Sequence, residues 1–328
     1  MTLLSPAAGP DLLPGALADV TASESSLRRF LAGLPGVDQV GAEARASGLA
    51  TRSIKSTAKA YALDLAIAMI DLTTLEGADT PGKVRALAAK ALRPDPSDPS
   101  CPSVAAVCVY PDLVADVRAV VGERLHVASV ATAFPSGRSS LPVKLQDTAD
   151  ALAAGADEID MVIDRGAFLS GRLQQVFDEI VTVRTACVRP DGTRAHLKVI
   201  LETGELSTYD NVRRASWIAM LAGADFIKTS TGKEPVNATL PFALVMARTI
   251  RTYHEQTGYR VGFKPAGGIR AAKGVLEYMF LMKEELGDRW LRPDLFRVGA
   301  SGLLTDIERQ LEHFVTGRYS AAHRHPMV

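Results

Sequence analysis

The sequence repeats one type of unit eight times, and this repetition limits the folds that the chain can adopt. From about residue 66, each unit contains a short apolar run, a loop and a longer segment with apolar residues every three or four positions. The apolar runs lie near residues 66, 104, 126, 158, 197, 226, 262 and 295. This spacing leaves room for one helix between consecutive parallel strands. Eight such units predict an α/β fold, a (β/α)₈ TIM barrel.

The main alternative is a doubly wound open sheet. That fold places a glycine-rich fingerprint after its first strand, and the segment AIAMIDLTTLEG contains none. Residues 1–60 precede the repeat and have a helical pattern, so we predict an N-terminal helical extension that covers one end of the barrel. Residues 61–318 form the predicted barrel. Residues 319–328 show no periodicity and form a predicted mobile C-terminal tail.

Composition excludes several classes of protein. Thirty-seven basic residues balance 37 acidic ones, which argues against a nucleic-acid-binding or membrane-surface protein. Three cysteines without a CxxC pair predict neither a disulfide framework nor a zinc site, and the six histidines show no metal-ligand spacing. No apolar run is long enough to cross a membrane, and the N-terminus lacks the features of a signal peptide. We therefore expect a cytoplasmic protein without a metal, a membrane partner or a nucleic-acid partner.

The lysines are unusual in number and position. The chain has 11 lysines against 26 arginines, and three of the lysines lie within apolar runs: Lys198 in HLKVILE, Lys228 in ADFIKTSTGK and Lys264 in VGFKPAGG. Arginine does not deprotonate in proteins, whereas a buried lysine changes its pKa readily. A buried lysine is therefore either a partner in an ion pair or a reactive amine.

Strand alternation predicts that these lysines point into the barrel. Residues two apart share a face of a strand, and the outer face must be apolar because helices pack on it. The inward face of EIDMVI then carries Glu158 and Asp160, and that of LKVILE carries Lys198 and Glu202. The same rule places Asp71, Lys228 and Lys264 inside. An inert ion-pair network is the alternative, but burying charge is costly, so this many charges favour chemistry.

Small residues follow the last two predicted strands. Pro265–Ala266–Gly267–Gly268 follows the seventh strand and Gly299–Ala300–Ser301–Gly302 follows the eighth, each before a helix. Exposed backbone N–H groups at a helix start bind phosphate, and Lys233 could add a charge. Either turn alone could be an ordinary tight turn, but the two together favour a phosphate site. The segment STGKE is not a Walker A loop, because Glu234 stands where Ser or Thr is required.

Several motifs resemble one known family. FIKTSTGK, VGFKPAGGIR, GADEIDMVI, DLTTL, KVILETGEL and FRVGAS are similar to segments of the 2-deoxyribose-5-phosphate aldolases, which are class I (Schiff-base) aldolases on a (β/α)₈ barrel. The resemblance covers residues 65–318. The N-terminal extension, KTSTGKEPVNAT and the ending TDIERQ…VTGRY are most similar to the longer subtype of that family.

The resemblance implies a lyase that reversibly cleaves 2-deoxy-D-ribose 5-phosphate to D-glyceraldehyde 3-phosphate and acetaldehyde, in deoxynucleoside catabolism. It implies no metal or organic cofactor, sugar phosphates and short aldehydes as ligands, and a homodimer. Lys228 would form the Schiff base, Lys264 would lie beside it, and Asp160 would relay protons with Lys264. The residues predicted to bind or line the substrate are Asp71, Leu75, Cys108, Lys198, Thr231, Lys233, Gly267, Gly268 and Ser301.

Physical chemistry explains how a buried lysine can become a nucleophile, but it does not identify which lysine does so. An ordinary lysine is charged at pH 7, and a second ammonium nearby together with desolvation disfavours that charge. The assignment of Lys228 rather than Lys264 as nucleophile rests on the resemblance. Two positions depart from the family. Gly302 stands where a hydroxyl residue often follows the phosphate-binding serine. Tyr319 lies in the C-terminal tail, and the resemblance does not extend the role of the family's tail tyrosine to it.

Two other functions remain open. Another Schiff-base barrel, such as a transaldolase, would act on a different sugar phosphate and would not accept acetaldehyde as donor. A barrel that only senses sugar phosphates would bind them without turnover.

Overall fold

The computed structural model describes residues 13, 15–318 and 320–327. Four helices come first: α1 (Gly15–Thr21), α2 (Glu24–Ala32), α3 (Gln39–Ala50) and α4 (Ser56–Ile67). The predicted N-terminal extension is therefore helical as expected in the residues described, and it runs through α4 to Ile67, past the predicted boundary at residue 60. It packs on the outer helices of the barrel, where Phe30 meets Trp217 edge to face at 5.1 Å. Arg45 also forms an ion pair of 2.7 Å with Glu284.

Eight parallel strands form the barrel, which confirms the predicted (β/α)₈ fold. The strands are β1 (Ile70–Thr73), β2 (Ala106–Val109), β3 (His126–Ala131), β4 (Glu158–Val162), β5 (His196–Ile200), β6 (Phe226–Lys228), β7 (Gly262–Lys264) and β8 (Val298–Ala300). Each strand from β1 to β7 pairs with its neighbour along the chain within that set, and β1 also pairs with β8. Backbone hydrogen bonds around Phe263, to Leu295 at 2.9 Å and from Arg297 at 3.1 Å, join β7 to the segment that leads into β8.

Helices fill the connections between strands. Their bounds are α5 (Pro81–Leu92), α6 (Val114–Val121), α7 (Leu141–Ala153), α8 (Arg165–Leu169), α9 (Leu173–Ala186), α10 (Tyr209–Leu221), α11 (Leu240–Thr257), α12 (Ala272–Leu286) and α13 (Leu303–Thr316). Local sequence sets these bounds, as α11 illustrates. The hydroxyl of Thr239 caps its first turn, and Gly258 ends it with a backbone φ of +77°, which favours glycine.

The first strand begins later than its apolar run. Residues 66 and 67 of AIAMIDL are the last residues of α4, and β1 starts at Ile70. A short apolar run does not by itself distinguish a strand from a buried helix end, so periodicity placed this boundary a few residues early.

The core lies between the outer faces of the strands and the helices. Outward residues such as Val127, Met161 and Leu197 are buried there with apolar helix residues. The inner faces of several strands carry charges instead, and a small apolar cluster of Leu75, Cys108, Ala128 and Val130 lies separately among the inward residues. This division between an apolar outer face and a polar inner face is what positions the site.

The described part of the C-terminal segment packs on α13. His325 is 5% exposed, and its Nε2 lies 2.7 Å from Glu312 Oε2. Tyr319 and residues 1–12 lie outside the described residues. Among the residues that the structure does describe, no helix has the length and apolar character needed to span a membrane.

Candidate active site

A cluster of charged side chains occupies the interior of the barrel. Asp160 on β4 lies at its centre and accepts hydrogen bonds from three lysines: Lys228 at 2.7 Å, Lys264 at 2.8 Å and Lys198 at 2.9 Å. Parallel pairing accounts for this, because Asp160 stands opposite Lys198 and Lys228 stands opposite Lys264. All four side chains are buried. The lysines that strand alternation predicts to converge therefore meet at one carboxylate.

Two further carboxylates and an arginine complete the cluster. Asp71 accepts from Lys264 at 2.5 Å and from Arg297 at 2.6 Å. Glu158 accepts from Arg297 at 2.9 Å and also pairs with Lys198. Arg297 was not identified from the sequence, although LFRVGAS contains the same signal as the lysine segments, a single cation within an apolar run.

The charges of this cluster balance without Lys228. Asp71, Glu158 and Asp160 supply three negative charges, and Lys198, Lys264 and Arg297 supply three positive ones. An ammonium at Lys228 would add an uncompensated positive charge in a buried site. The described cluster therefore favours a neutral amine at this position.

The pKa shifts follow the same balance. Burial, together with the charge of Lys264, lowers the pKa of Lys228, although Asp160 opposes the change. Burial also opposes charge on Lys264, but Asp160 and Asp71 outweigh it and raise the pKa of Lys264. The pKa of Asp160 is held well below its usual value, because its lysine neighbours outweigh the effect of burial. The pKa values of the neighbouring Lys228 and Lys264 are thus shifted in opposite directions.

A cavity of about 510 Å³ opens above Lys228 at the carboxyl ends of the strands. Its wall includes the predicted phosphate-binding residues Lys233, Gly267, Gly268 and Ser301. Gly267 and Gly268 have φ values of +82° and +83°, which glycine adopts without strain. A Cβ atom at Gly267 would lie only 2.6 Å from Asn237 Cγ. The sequence therefore needs glycine where the backbone forms this wall.

Other charged residues of the cavity wall were not identified from the sequence. Lys83 from the first turn of α5 and Arg270 from GGIR line the cavity. Glu76 also lines it and forms an ion pair of 2.9 Å with Lys233. A basic residue near a Gly-rich turn could have indicated Arg270. The Glu76–Lys233 pair joins positions 157 residues apart, which no local pattern reveals.

The remaining predicted residues fall into two groups. Leu75 and Thr231 line the cavity, and Cys108 is buried in the apolar cluster with Leu75, where burial raises the pKa of its thiol. Asp71 and Lys198 are not among the residues that form the described cavity wall. They contact Lys264 and Asp160, which also lie outside that wall, and Asp160 in turn contacts Lys228, the member of the charge cluster that lines the cavity.

Glu202 departs from the alternation that predicts it inside the barrel. Its backbone is left-handed, with a φ of +56°, so the inward–outward pattern of β5 ends before it. Its carboxylate accepts from the Thr231 hydroxyl at 2.5 Å and pairs with Arg165 at 3.3 Å. Glu202 therefore holds the loop after β6 rather than joining the charge cluster. No group of three or more His, Cys, Asp or Glu suited to a metal ion occurs among the described residues.

Comparisons with known proteins agree with this arrangement. The family model of the DeoC/LacD family aldolases matches residues 65–303. Deoxyribose-phosphate aldolase of Mus musculus is 52% identical over 289 residues, which cover 85% of this chain and 89% of the mouse protein. The enzyme of that name from Homo sapiens is 51% identical over the same shares.

A solved structure shows the same fold. It belongs to a Toxoplasma gondii protein provisionally described as a deoxyribose-phosphate aldolase, with a TM-score of 0.68 and 24% identity. The match covers 79% of this chain and 97% of that one. The charged barrel interior agrees with the family match and with the relatives that are about half identical. Together they show that the chain is an aldolase, a lyase of the DeoC/LacD family.

Proposed function

We propose that this aldolase reversibly cleaves 2-deoxy-D-ribose 5-phosphate to D-glyceraldehyde 3-phosphate and acetaldehyde through a Schiff base on Lys228. The observation that carries the proposal is the buried Lys228 amine, which shares one oxygen of Asp160 with Lys264 beneath an open cavity. The mouse and human relatives are named for this substrate.

Lys228 is the best nucleophile of the three lysines. Its pKa is the one that burial lowers, whereas those of Lys198 and Lys264 are raised by their carboxylate partners in spite of burial. Lys228 also lines the cavity, where the aldehyde of an open-chain sugar can reach it. The neutral amine adds to the C1 carbonyl, and loss of water from the carbinolamine leaves an iminium.

Cleavage breaks the bond between C2 and C3 of the sugar. A base takes the proton of the C3 hydroxyl, the C2–C3 electron pair moves to the iminium, and C3 becomes the aldehyde carbon of glyceraldehyde 3-phosphate. The resulting enamine gains a proton at C2, and water releases acetaldehyde and restores the Lys228 amine. Asp160 contacts both the Lys228 amine and the Lys264 amine, which supports a role for Asp160 and Lys264 in exchanging these protons, directly or through a water molecule.

The cavity wall accounts for the phosphate. Gly267 and Gly268 offer a wall without side chains, and Ser301 precedes the first turn of α13, whose N-terminus favours an anion. Lys233 supplies a full positive charge, and Thr231 lines the cavity beside it. Phosphate held here would direct the aldehyde end of the substrate toward Lys228, with Leu75 and Cys108 as its apolar surroundings.

Asp71 and Lys198 have a supporting role in this proposal. Asp71 favours the charged form of Lys264, and Lys198 pairs with both Asp160 and Glu158. Both would therefore act on the substrate through their partners. The proposal needs no metal and no organic cofactor, because the protein's own amine provides the electron sink. We also propose that the protein forms a homodimer and is located in the cytoplasm.

Donor profiling tests the reaction against the alternatives. We expect acetaldehyde to serve as donor with glyceraldehyde 3-phosphate, and we expect Lys228→Ala to abolish product formation while the folded protein still binds inorganic phosphate. A barrel of the transaldolase type would reject acetaldehyde. A sugar-phosphate sensor would be stabilised thermally by deoxyribose 5-phosphate without converting it.

A further inference from the structure

A line of ion pairs continues from Asp160 to the end of the barrel opposite the cavity. Lys198 donates to Asp160 at 2.9 Å and pairs directly with Glu158. Glu158 Oε1 in turn lies 2.9 Å from His126 Nδ1. His126 and Glu158 are the first residues of β3 and β4, so they lie where the strands begin. Each link in this line is a direct contact.

His126 is the point at which this line reaches solvent. Its side chain is 41% exposed, whereas that of Glu158 is fully buried. The ring nitrogen that faces Glu158, Nδ1, is itself buried, so the exposed part of the side chain is the remainder of the ring. The contact strengthens when the imidazole is protonated, because the buried carboxylate then faces a positive charge.

The groups around His126 favour its protonated form. Glu158 on β4 is the nearest, and Asp157, just before β4, adds a weaker attraction. Arg297, just before β8, repels the charge, and Arg118 from α6 is paired with Asp157. The contact with Glu158 outweighs burial and Arg297, and it raises the pKa of His126.

A second histidine provides a comparison. His196 begins β5 and stands opposite Glu158 in the strand register. Burial lowers the pKa of His196, although Asp225 and Glu158 oppose the change and Lys198 and Arg297 add to it. Two histidines therefore lie next to the same carboxylate, and only His126 is driven toward the charged form.

We propose that His126 is a positioning residue that adjusts the protonation of Lys228 from the far end of the barrel. The buried cluster is balanced without Lys228, so a charge on His126 makes the cluster positive and disfavours an ammonium at Lys228. As the pH falls, His126 gains its proton and helps to keep Lys228 neutral. The inference rests on the proposed role of Lys228 as the nucleophile.

The test compares His126→Asn and His126→Lys with wild-type protein and with His196→Asn. The acid limb of the pH profile of kcat/KM for deoxyribose 5-phosphate reports the protonation of the free enzyme. Loss of the charge in His126→Asn should move this limb upward by about 0.5 pH unit, or about threefold in kcat/KM on the limb. His126→Lys, which keeps the charge, should leave the limb at or below the wild-type position, and His196→Asn should not move it.

A second measurement reports the protonation of Lys228 without turnover. The pH dependence of Lys228 acylation by acetic anhydride, followed by peptide mapping, should shift in the same direction in His126→Asn. His126→Gln replaces this variant if His126→Asn does not fold. Superimposable profiles in wild type and the neutral variants would overturn the inference, and so would an equal shift in His196→Asn. If borohydride does not trap substrate on Lys228, the proposed function fails instead, so the two failures are distinct.

Discussion

Lys228 and Lys264 face each other across the β6–β7 pair and donate to the same carboxylate oxygen of Asp160, at 2.7 Å and 2.8 Å. A single anion cannot compensate two buried ammonium groups fully, and Asp71 adds a second partner only to Lys264. This asymmetry favours the charged form of Lys264 over that of Lys228, because it raises the pKa of Lys264 while burial lowers the pKa of Lys228. The proposed function therefore gives the two lysines different tasks, although both are buried and stand opposite each other in the strand register.

Replacing Lys264 should make Lys228 a poorer nucleophile. Lys264→Met removes the positive charge that lowers the pKa of Lys228, so we expect kcat/KM at neutral pH to fall by about 100-fold or more and the acid limb of its pH profile to move upward. Steady-state kinetics between pH 5 and pH 9 measure both effects. Lys144→Met is the control, because Lys144 is buried and pairs with Glu179 outside the charge cluster. An unchanged acid limb in Lys264→Met would contradict the account.

Asp160 should be needed for proton transfer as well as for charge balance. Asp160→Asn keeps the shape of the side chain but removes the negative charge shared by three lysines. We expect turnover to slow by about 10²–10⁴-fold. Rapid-quench kinetics that follow C2–C3 cleavage would show the loss in the chemical step. A variant that retained more than a tenth of the wild-type rate would be inconsistent with this role.

Glu158 should contribute stability that depends on pH. Arg297, Lys198 and His126 outweigh burial and hold the pKa of Glu158 well below its usual value, so its stabilising charge is present above the unfolded pKa, about 4.3. Its contribution is lost as the pH falls below that value toward the folded pKa. Glu158→Gln should therefore lower the free energy of unfolding by about 3–5 kcal/mol at pH 7. Urea titrations at pH 7 and at pH 3 should show a smaller difference from wild type at the lower pH, and a constant difference would refute this explanation.

Much of this arrangement was predictable because it follows local periodicity. Strand alternation placed Asp160, Lys198, Lys228 and Lys264 inside the barrel, and the parallel register brings them together. Strand alternation gave the wrong position for Glu202. The rule assumes an extended backbone, and the backbone at Glu202 is left-handed. Arg297 was missed although LFRVGAS holds a single cation within an apolar run, and the structure places this residue just before β8.

The contacts across the cavity were not predictable in the same way. Glu76 and Lys233 belong to loops after β1 and β6, and their ion pair depends on how the closed barrel brings those loops together. Likewise, the contact between His126 and Glu158 joins the starts of two neighbouring strands. Such pairs follow from barrel closure and strand register rather than from any spacing within one segment.

Glu76 should compete with the substrate phosphate for Lys233. Its carboxylate lies 2.9 Å from the Lys233 amine, and a phosphate that binds this amine would have to displace it. We expect Glu76→Gln to lower KM for deoxyribose 5-phosphate by about threefold with little change in kcat, the size of an exposed ion pair. Lys233→Met should raise KM instead. A rise in KM for Glu76→Gln would show that the acid helps binding.

The two Gly-rich turns should respond differently to substitution. Gly267→Ala forces a Cβ to within 2.6 Å of Asn237 at a φ of +82°, so we expect KM for deoxyribose 5-phosphate to rise by about tenfold or more. Gly302 has an ordinary helical φ of −65°, and a Cβ added there would meet no atom within 4 Å, so Gly302→Ser should be tolerated and should lower KM by adding a hydroxyl donor. Gly274→Ala, in α12, is the control, because its Cβ would make only an ordinary contact of 3.9 Å with Ile269. Equal KM values in all three variants would argue against a phosphate site at these turns.

Borohydride trapping with peptide mapping tests the central claim most directly. The protein is reduced in the presence of deoxyribose 5-phosphate, digested and analysed by mass spectrometry for a substrate-derived mass on each lysine. We predict one adduct, on Lys228, with Lys264 unmodified and the buried Lys144 as an internal negative control. An adduct on Lys264 with Lys228 unmodified, or no adduct in a protein that cleaves the substrate, would contradict the account.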